Sequence, residues 1–416
     1  MRALTISEAA TKLRISPDTI RRWEKKGLLR ARRSQLNHRI FSVDELRRLS
    51  GKYGGRNKVS RYTVLQSRQK SQYSVIELFS GCGGLALGFE NAGLQARALV
   101  EIDSDAANSL RLNRTCWNII NDDIKSVDFS HYRDEVDIVA GGFPCQAFSY
   151  AGEGRGFADH RGTLFFEFLR CVNQVRPKIA LAENVRGLLR HDGGRTLETM
   201  TSKLREAGYR VAHRLVRAQF LDVPQKRERL LILAVRNDLT LPFLFPKEQD
   251  YTVSLREALS GCRESEGTTY SIRKKQILEL VPPGGYWRDL PPKIQKEYMK
   301  GSLHLSGGKT GMARRLSWDE PSLTLTCNPA QKQTERCHPK QTRPLNIAEY
   351  ARVQTFPDDW KFAGTVTSRY RQIGNAVPVN LGFHVGRALI AMLDGDIFAD
   401  GFERSISESA VQMSLV

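Results

Sequence analysis

One loop of the sequence brings together residues that can do covalent chemistry. The segment 139–152, VAGGFPCQAFSYAG, begins within the largely apolar run Val136–Ala140, whose composition is typical of a buried strand in a parallel sheet. Two glycines let the backbone come close to a ligand, and a proline stiffens the turn directly before Cys145. Because open α/β sheets bind ligands at the carboxyl ends of their strands, this position predicts a binding site around the Cys145 thiol.

The residue types around Cys145 allow two interpretations. A thiol is a strong nucleophile once it is ionised, and Arg155 and Arg161 follow closely enough to favour the thiolate. The alternative is a small buried hydrophobe, which is what most single cysteines are. The loop alone leaves both interpretations open.

A second glycine-rich turn lies in the segment 75–93, VIELFSGCGGLALGFENAG. The pattern predicts a buried strand, a turn of three glycines and a helix, which together bring backbone amides to a ligand at the amino end of the helix. Glu101 ends the next predicted strand about 20 residues later, where a Rossmann-like fold places a carboxylate on a ribose. Asp123, after the following helix, is a candidate acceptor for an adenine amino group.

Glu183 and two arginines extend the chemistry around Cys145. Glu183 follows the apolar strand pattern Lys178–Ala182, so we expect it at the same edge of the sheet as Cys145. A pyrimidine ring is electron-poor at C6 and accepts a thiolate there, and a carboxyl group that carries a proton can hydrogen-bond its N3. Arg229 lies two residues after Arg227 and would point to the same side of a strand. The alternatives are an acid satisfied by backbone amides, and arginines that clamp a phosphate or a carboxylate.

The composition limits the class of protein that positions these residues. A chain of 416 residues can form two or three domains, its 40% hydrophobic content is ordinary for a globular protein, and no apolar run approaches membrane-spanning length. Seven cysteines without a CxxC pair argue against a disulfide framework and a zinc site. We therefore predict no bound metal, no membrane association and a reducing cytoplasmic location, associated with the nucleoid.

The positive charge is concentrated at the front of the chain. The net charge is +19, and residues 1–72 carry 19 Lys/Arg and 5 Asp/Glu, or +14 of it. Such a basic end predicts a polyanion partner, most often nucleic acid, although a solvated basic surface has the same composition.

The first 50 residues carry a helix-turn-helix pattern. Thr5–Leu13 and Pro17–Lys26 are amphipathic, and the second of these predicted helices is basic, the layout in which it enters a major groove. A two-stranded wing over Arg30–Phe41 and a short helix over Val43–Leu49 complete the predicted domain. The residues expected to face DNA are Thr19, Arg21, Arg22, Lys25 and Arg39.

The segment 7–29, SEAATKLRISPDTIRRWEKKGLL, closely resembles the MerR-like DNA-binding domain. It departs from full MerR regulators, whose long dimerisation helix and effector domain do not follow it here. An acid-free basic stretch at 51–73 predicts a flexible linker. We expect residues 1–50 to bind DNA separately from the catalytic site, as a repressor of the protein's own promoter, as a general DNA anchor, or as a docking surface for the catalytic domain.

Six sequence blocks resemble the C5-cytosine DNA methyltransferases and occur in that family's order. They cover roughly residues 74–236 and 343–393. The blocks are FSGCGG, GGFPCQAFS, ENV at Glu183–Val185, QKRER at Gln225–Arg229, NIAEYARVQTFP at Asn346–Pro357 and IGNAVP at Ile373–Pro378. The resemblance implies an α/β, Rossmann-like fold dependent on S-adenosyl-L-methionine, with a small irregular target-recognition domain and, at the front, the winged helix-turn-helix.

The resemblance also implies roles for individual residues. Cys145 is the nucleophile, Glu183 binds the extruded cytosine, Arg229 contacts the cytosine O2 and Arg227 supports the loop. The implied cofactor-binding residues are Phe79 (stacked on the adenine), Ser80, Gly81, Cys82, Gly83, Gly84, Leu85, Glu101 (ribose hydroxyls), Ile102, Asp123 (adenine amine), Ile124, Pro144, Asn375, Ala376 and Val377. The implied DNA contacts beyond the front domain are Gln146, Ser149 and Thr324.

The interval 237–342 lacks the family's blocks and is where such enzymes read their target bases. Its polar and aromatic residues could contact base edges or phosphates, and the sequence does not distinguish among them. The candidates are Tyr286, Trp287, Arg288, Arg314, Arg315, Gln331, Lys332, Gln333 and Arg336.

The predicted function is methylation of C5 of a flipped cytosine in a specific double-stranded DNA sequence, by an enzyme that acts as a monomer. A restriction–modification setting makes a restriction endonuclease a candidate partner. The alternatives are a tRNA cytosine-5 methyltransferase and a transcription regulator with a degenerate catalytic fold. The predicted domains are 1–50 (helix-turn-helix), 51–73 (linker), 74–236 (catalytic), 237–342 (target recognition), 343–395 (return to the catalytic domain) and 396–416 (polar tail).

Overall fold

A computed structural model describes most of the chain, in two units. The described residues are 3–13, 17–25, 27–33, 39–52, 62–143, 164–304, 309–396 and 400–405. The first unit comprises Met1–Thr63, Gln219–Lys226 and Glu248–Val353, and the second comprises Val64–Ala218, Arg227–Lys247 and Gln354–Val416. The predicted cysteine loop lies outside the described residues.

The strands and helices are numbered in chain order. The strands are β1 (Ala3–Thr5), β2 (Arg32–Arg33), β3 (Arg39–Ser42), β4 (Ser74–Leu78), β5 (Gln95–Val100), β6 (Ile119–Ile120), β7 (Ile138–Gly141), β8 (Ile179–Val185), β9 (Tyr209–Arg217), β10 (Gln225–Lys226), β11 (Glu228–Arg236), β12 (Phe243–Pro246), β13 (Ser322–Leu323) and β14 (Phe402–Ser405). The helices are α1 (Ile6–Leu13), α2 (Pro17–Lys25), α3 (Val43–Lys52), α4 (Gly84–Ala92), α5 (Ser104–Asn113), α6 (Leu164–Val175), α7 (Arg195–Glu206), α8 (Leu255–Leu259), α9 (Ile272–Glu279), α10 (Pro292–Met299), α11 (Ile347–Val353), α12 (Val366–Asn375) and α13 (Val379–Leu393).

The front domain confirms the helix-turn-helix prediction. Helices α1 and α2 form as predicted, Gly27 adopts a left-handed φ of +70° directly after them, and β2 and β3 form the antiparallel wing. The additional strand β1 pairs with β3 and completes a three-stranded sheet. A small core closes the domain, with Ile20, Trp23 and Phe41 buried at its centre.

The second unit is built on a seven-stranded sheet with the order β6-β5-β4-β7-β8-β11-β9. The strands from β6 to β8 are parallel, and β11 runs antiparallel to both of its neighbours. The apolar runs that predicted strands become the strands β4, β7 and β8, which are buried almost throughout, as is typical of a parallel sheet covered on both sides. The predicted α/β, Rossmann-like architecture is therefore confirmed.

Helix α13 returns the end of the chain to this sheet by packing on α4. A Cβ atom at Gly88 of α4 would lie 2.6 Å from the Cα atom of Gly382 of α13, so both positions require glycine for the backbones to approach. This contact places the chain that precedes α13 beside the glycine turn that precedes α4.

Helices α12 and α13 together form the segment Val366–Leu393, which by length and composition alone could span a membrane. Within the described residues, 67% of its most apolar window is buried inside the protein. The segment is also interrupted between the two helices, so we assign it to the core.

The stretch Glu248–Val353 of the first unit, called the recognition part after its predicted role, has its own core and buried arginines. Trp287, Tyr298 and Met299 are among the residues that pack at its centre. The Arg315 guanidinium is 4% exposed and donates to the carbonyls of Leu278, Val281 and His338 and to the Thr342 hydroxyl. These hydrogen bonds connect loops that have little regular structure.

The segment predicted as a linker, 51–73, is described at its two ends. Helix α3 continues through Lys52, and the residues from Val64 onward group with the second unit. There the Ser67 amide donates to the Asn91 carbonyl at 2.8 Å, and the Ser71 amide donates to the Gly93 carbonyl at 2.9 Å.

In the second half, β14 lies within the segment predicted as a polar tail, 396–416, and pairs antiparallel with β12. In the first unit, Glu248–Val353 groups with Gln219–Lys226, and α11 packs on α8. Strand β12 belongs to the second unit, which resumes at Gln354.

Candidate active site

Glu183 and Arg229 form a buried ion pair on neighbouring strands. β8 and β11 are antiparallel, with Glu183 opposite Leu231 and Arg229 opposite Val185. The Arg229 Nε lies 2.5 Å from the Glu183 Oε1, and each side chain is 10% exposed. The Arg229 guanidinium also donates to the Glu228 carbonyl at 2.8 Å. The two charges therefore compensate each other in a buried position.

The chain that enters the cysteine loop lies against this pair. β7 and β8 are parallel, with Gly141 opposite Ala182, so Gly142 emerges next to Glu183. A Cβ atom at Gly142 would lie 3.0 Å from the Glu183 Oε2, and the side-chain amide of Asn184 donates to the Phe143 carbonyl at 3.2 Å. The ENV block therefore fixes the start of the loop. Cys145, Pro144, Gln146 and Ser149 lie outside the described residues.

Arg227 is buried and hydrogen-bonded to the backbone of a distant turn. Its side chain is 2% exposed and its guanidinium donates to the carbonyls of Gly374 at 3.2 Å and Asn375 at 3.3 Å. Gln354 holds the same turn from the other side, because its amide donates to the carbonyls of Ile373 and Ala376 at 2.6 and 3.0 Å. The IGNAVP turn is thus anchored by hydrogen bonds to its backbone.

This turn lies against the start of α4. A Cβ atom at Gly84 would be 2.1 Å from the Val377 carbonyl oxygen, a distance that only glycine tolerates. Gly84 and Val377, which the sequence analysis assigns to one cofactor site, are therefore in contact. Asn375 is exposed beside them, whereas Ala376 is buried.

The Glu101 carboxylate closes the glycine turn. Its Oε2 accepts a hydrogen bond from the Gly81 amide at 2.7 Å, and its Oε1 accepts one from the Asp103 amide at 2.8 Å. Burial raises the pKa of the Glu101 carboxyl, and the two donating amides partly oppose that rise. Each carboxylate oxygen keeps a further lone pair, which can accept from a hydroxyl group.

The space around the turn is open where a ligand is expected. Gly81 has a φ of +55° and a Cβ atom there would meet no atom within 4 Å. Ile102 is 65% exposed, an unusual state for a large apolar side chain next to a buried acid. Phe79, with a φ of +59°, packs edge-on against Phe143 with ring centroids 6.3 Å apart.

Other predicted cofactor residues are hydrogen-bonded within the protein or buried. Asp123 caps a short helical turn by accepting from the Lys125 amide at 3.0 Å through Oδ1, which leaves Oδ2 outside this hydrogen bond. Ser80 donates to the Glu77 carbonyl at 3.0 Å. Those that are buried are Ser80, Cys82, Gly83, Gly84, Leu85 and Ile124, so they shape the site mainly through backbone or packing.

Cys82 is a weaker candidate for a nucleophile than Cys145. Its thiol is fully buried, and this burial raises its pKa, so the thiolate is not formed at neutral pH.

One residue near the turn was missed by the sequence analysis. Glu77 in β4 is 4% exposed, and burial, then the charge of Glu101, raise the pKa of its carboxyl well above the usual range. The available signal was an acid within the apolar strand VIELF.

The predicted DNA-contacting residues fall into two groups. In the front domain Arg21, Lys25 and Arg39 are exposed, and Arg39 lies 3.6 Å from Glu24 in an ion pair; the side chains of Thr19 and Arg22 are not described. Thr324 instead uses its hydroxyl internally, donating to the Lys226 carbonyl at 2.6 Å. In the described part of the chain, no group of three or more His, Cys, Asp or Glu residues could hold a metal ion.

The chain matches two protein-family models. Residues 73–391 match the C-5 cytosine-specific DNA methylase model, and residues 5–41 match the MerR family regulatory protein model. The front match coincides with the helix-turn-helix, and the longer match covers the sheet, the glycine turn and the Glu183–Arg229 pair.

Individual proteins support the longer match. The chain is 53% identical over 402 residues to the type II methyltransferase M.Eco47II of Escherichia coli, a match that covers 94% of this chain and 96% of that protein. It is 48% identical over 403 residues to the type II methyltransferase M.PspPI of Psychrobacter sp. (strain TA137), covering 94% and 97%. Among solved structures, a triple mutant of Spodoptera frugiperda DNMT2 has a TM-score of 0.56 at 19% identity, covering 77% of this chain and 100% of that one, and this likeness shows the fold alone.

Proposed function

The chain belongs to the C-5 cytosine-specific DNA methylase family and is a DNA cytosine methyltransferase, and from this premise we propose that it transfers a methyl group from S-adenosyl-L-methionine to C5 of a flipped cytosine in a specific sequence of double-stranded DNA. The observation that carries the proposal is the buried Glu183–Arg229 pair beside Gly142, at the start of the Cys145 loop. A cytosine stacked in a duplex hides its C6, so the base must leave the helix to reach these groups.

Cys145 begins the reaction as a thiolate. Its sulfur bonds to C6 of the cytosine, and the electron pair displaced from the ring makes C5 nucleophilic. When bound, S-adenosyl-L-methionine supplies the electrophilic methyl group that C5 takes up. Loss of the C5 proton to a bound water or a side chain then expels the Cys145 thiolate and restores the aromatic ring.

Glu183 and Arg229 hold the ring during this addition. Negative charge develops on the pyrimidine as sulfur adds. The Arg229 guanidinium at O2 and the Glu183 carboxyl at N3, where it must carry a proton to donate a hydrogen bond, stabilise that charge more strongly than water does. The observed pair supports this assignment, since the 2.5 Å contact fixes both groups before a base arrives.

The residues around the glycine turn fit the cofactor. The open space at Gly81 and the spare lone pairs of Glu101 suit a ribose, and the exposed Ile102 offers an apolar surface to an adenine. The turn Asn375–Val377 would close the amino-acid end beside Gly84.

Two experiments test the function. Radiolabelled methyl transfer to duplex DNA and to tRNA should label only the duplex, and bisulfite sequencing of DNA from expressing cells should yield one target motif. Labelling of tRNA instead would favour the tRNA methyltransferase alternative, and no transfer to either would favour a regulator with a degenerate catalytic fold.

The nucleophile needs its own test. Duplex DNA with 5-fluorocytosine at the target should trap a denaturation-resistant adduct, because fluorine cannot leave as a proton does. Cys145→Ala should form none, whereas Cys82→Ala, which removes a buried thiol of raised pKa, should still form it. An adduct with Cys145→Ala would show the assignment to be wrong.

The biological setting follows from the relatives' names. Because type II methyltransferases are its relatives, we propose a restriction–modification role in the cytoplasm, with a partner endonuclease and catalysis by a monomer. Co-expression with the gene products of neighbouring reading frames, followed by a cleavage assay on unmethylated DNA, tests the partnership.

The front domain would repress the protein's own promoter. Its exposed Arg21, Lys25 and Arg39 support DNA binding separate from catalysis. In the full chain, Arg21→Ala with Lys25→Ala should abolish binding to the upstream DNA and relieve repression of a reporter, while the methylated motif stays the same. Equal binding to every duplex, with only the KM for DNA changed, would favour a general anchor.

A further inference from the structure

Two lysines of the recognition part, Lys300 and Lys332, carry charges without counter-ions among the described residues. Lys300 follows α10 and is exposed, and Lys332 begins a short helical turn. The charge of Lys300 acts on the Glu297 carboxylate, but that carboxylate is already paired with Arg273 at 2.6 Å. The Lys332 Nζ lies 4.9 Å from the centroid of the Tyr298 ring, an interaction that orients the ammonium without neutralising it.

A buried polar network fixes the platform under Lys332. Glu335 is fully buried and accepts a hydrogen bond from the Tyr298 hydroxyl at 2.8 Å. Lys274 ion-pairs with Glu335 and donates to the Ala330 carbonyl at 2.5 Å. The single acid of this network is therefore matched by Lys274, and no negative charge is left over for Lys332.

The positive charges act on one another. Partial burial and then the charge of Lys300 lower the pKa of Lys332, and burial and then the charge of Lys332 lower the pKa of Lys274. Like charges held together on a fixed platform cost free energy unless an anion binds there.

Two arginines of this region, Arg336 and Arg315, are committed to the interior. Arg336 is 5% exposed and its guanidinium donates to the carbonyls of Thr324 and Glu335. Arg315 is likewise engaged with interior carbonyls. Lys300 is exposed and Lys332 is half-buried, and a lysine binds a phosphate as a point charge.

We propose that Lys300 and Lys332 bind the phosphate backbone of duplex DNA and hold the recognition part on its substrate without reading sequence. This inference rests on the proposed function and assigns part of the binding of its DNA substrate to two named residues. Such contacts position a protein along the duplex, while base edges provide specificity.

The test is the salt dependence of duplex binding by the full chain. Each phosphate contact contributes about 0.9 to the slope of log Kd against log salt, so Lys300→Gln with Lys332→Gln should lower the slope by about 2. Affinity for target and non-target duplexes should fall by the same factor. Lys275→Gln, an exposed lysine of α9, removes a charge outside this pair and should leave the slope unchanged.

A slope equal to that of Lys275→Gln, or a loss confined to the target sequence, would overturn the proposal. A loss seen with tRNA but not with duplex DNA would overturn it as well. Methyl transfer by the wild-type chain is measured separately. Absence of methyl transfer would contradict the proposed function, whereas an unchanged salt dependence in an active enzyme would contradict only the lysine assignment.

Discussion

The Glu101 carboxylate experiences two opposing effects, burial and hydrogen bonding to the Gly81 and Asp103 amides. Its raised pKa means that it takes up a proton at a higher pH than an ordinary acid, and the neutral form is a weaker acceptor for ribose hydroxyls. Cofactor affinity should therefore fall as the pH drops through this raised pKa and recover above it. Glu101→Gln should remove that pH dependence.

The magnitude is measurable by calorimetry. Glu101→Ala should weaken cofactor binding by about 1–3 kcal/mol, because the hydroxyls would lose their acceptors. Glu198→Ala, which removes an exposed acid of α7, is the matched control and should leave affinity unchanged. Equal affinities for wild type and Glu101→Ala would contradict the ribose assignment.

Gly142 tests the geometry around the cytosine-binding acid. A Cβ atom there would lie 3.0 Å from the Glu183 Oε2, so Gly142→Ala must displace the carboxylate by a few tenths of an ångström. Because catalysis is sensitive to small misplacements, kcat should fall about tenfold or more. Gly187→Ala, whose Cβ would meet only the Val185 side chain at 3.9 Å, should retain kcat. Full activity in Gly142→Ala would mean that Glu183 tolerates this shift.

At the residue scale, the sequence predicts which charged residues are candidates for a functional role, but it does not predict which atoms they bind. Glu183 is placed at the sheet edge by the apolar pattern before it, Arg229 is singled out by its spacing from Arg227 and by the family resemblance, and the two side chains are in contact. Arg315 and Arg336 were candidates for DNA contact, yet both are buried on carbonyl groups. Nothing in the neighbouring sequence distinguishes an arginine that donates to loop carbonyls from one that faces a phosphate.

At the element scale, the Lys274–Glu335 ion pair joins α9 to the turn that carries Lys332. Lys274→Met keeps the hydrocarbon chain and leaves Glu335 buried without a counter-ion, which should cost about 3–5 kcal/mol. Calorimetry should show a lower melting temperature for the transition of the recognition part. Lys275→Met, at an exposed position of the same helix, should change stability by less than about 0.5 kcal/mol.

Two outcomes would decide the role of this pair. Adding Glu335→Gln to Lys274→Met should restore part of the lost stability, since the uncompensated charge is removed. Identical melting curves for Lys274→Met and Lys275→Met would show that the ion pair contributes nothing.

The elements themselves were predictable where burial imposes a strong pattern. β4, β7 and β8 are predictable because strands covered on both faces carry runs of apolar residues. β14, with the sequence FERS, carries two charges in four residues and belongs to a two-stranded sheet, so it has no such pattern. Its pairing depends on β12, more than 150 residues earlier in the chain, which a local reading of sequence cannot detect.

At the scale of the whole molecule, the proposed separation of target recognition from catalysis predicts which segments can be exchanged between relatives. The recognition part spans Glu248–Val353 and includes the distant segment Gln219–Lys226. β10 of that segment pairs with β13, Lys226 ion-pairs with Glu320 at 2.6 Å, and Thr324 donates to the Lys226 carbonyl. These contacts make the two stretches one structural part, a relation that the sequence does not reveal because 21 residues of the second unit, Arg227–Lys247, separate them.

Exchange of this part with a relative of different specificity should move the methylated motif with it. Replacement of 248–346 alone should give the new motif with reduced activity, because the contacts to Lys226 would be mismatched, and replacement of 219–226 as well should restore activity. Exchange of residues 1–52 is the control and should leave the motif unchanged. Bisulfite sequencing reads the outcome, and an active chimera that keeps the original motif would show that target bases are read elsewhere in the chain.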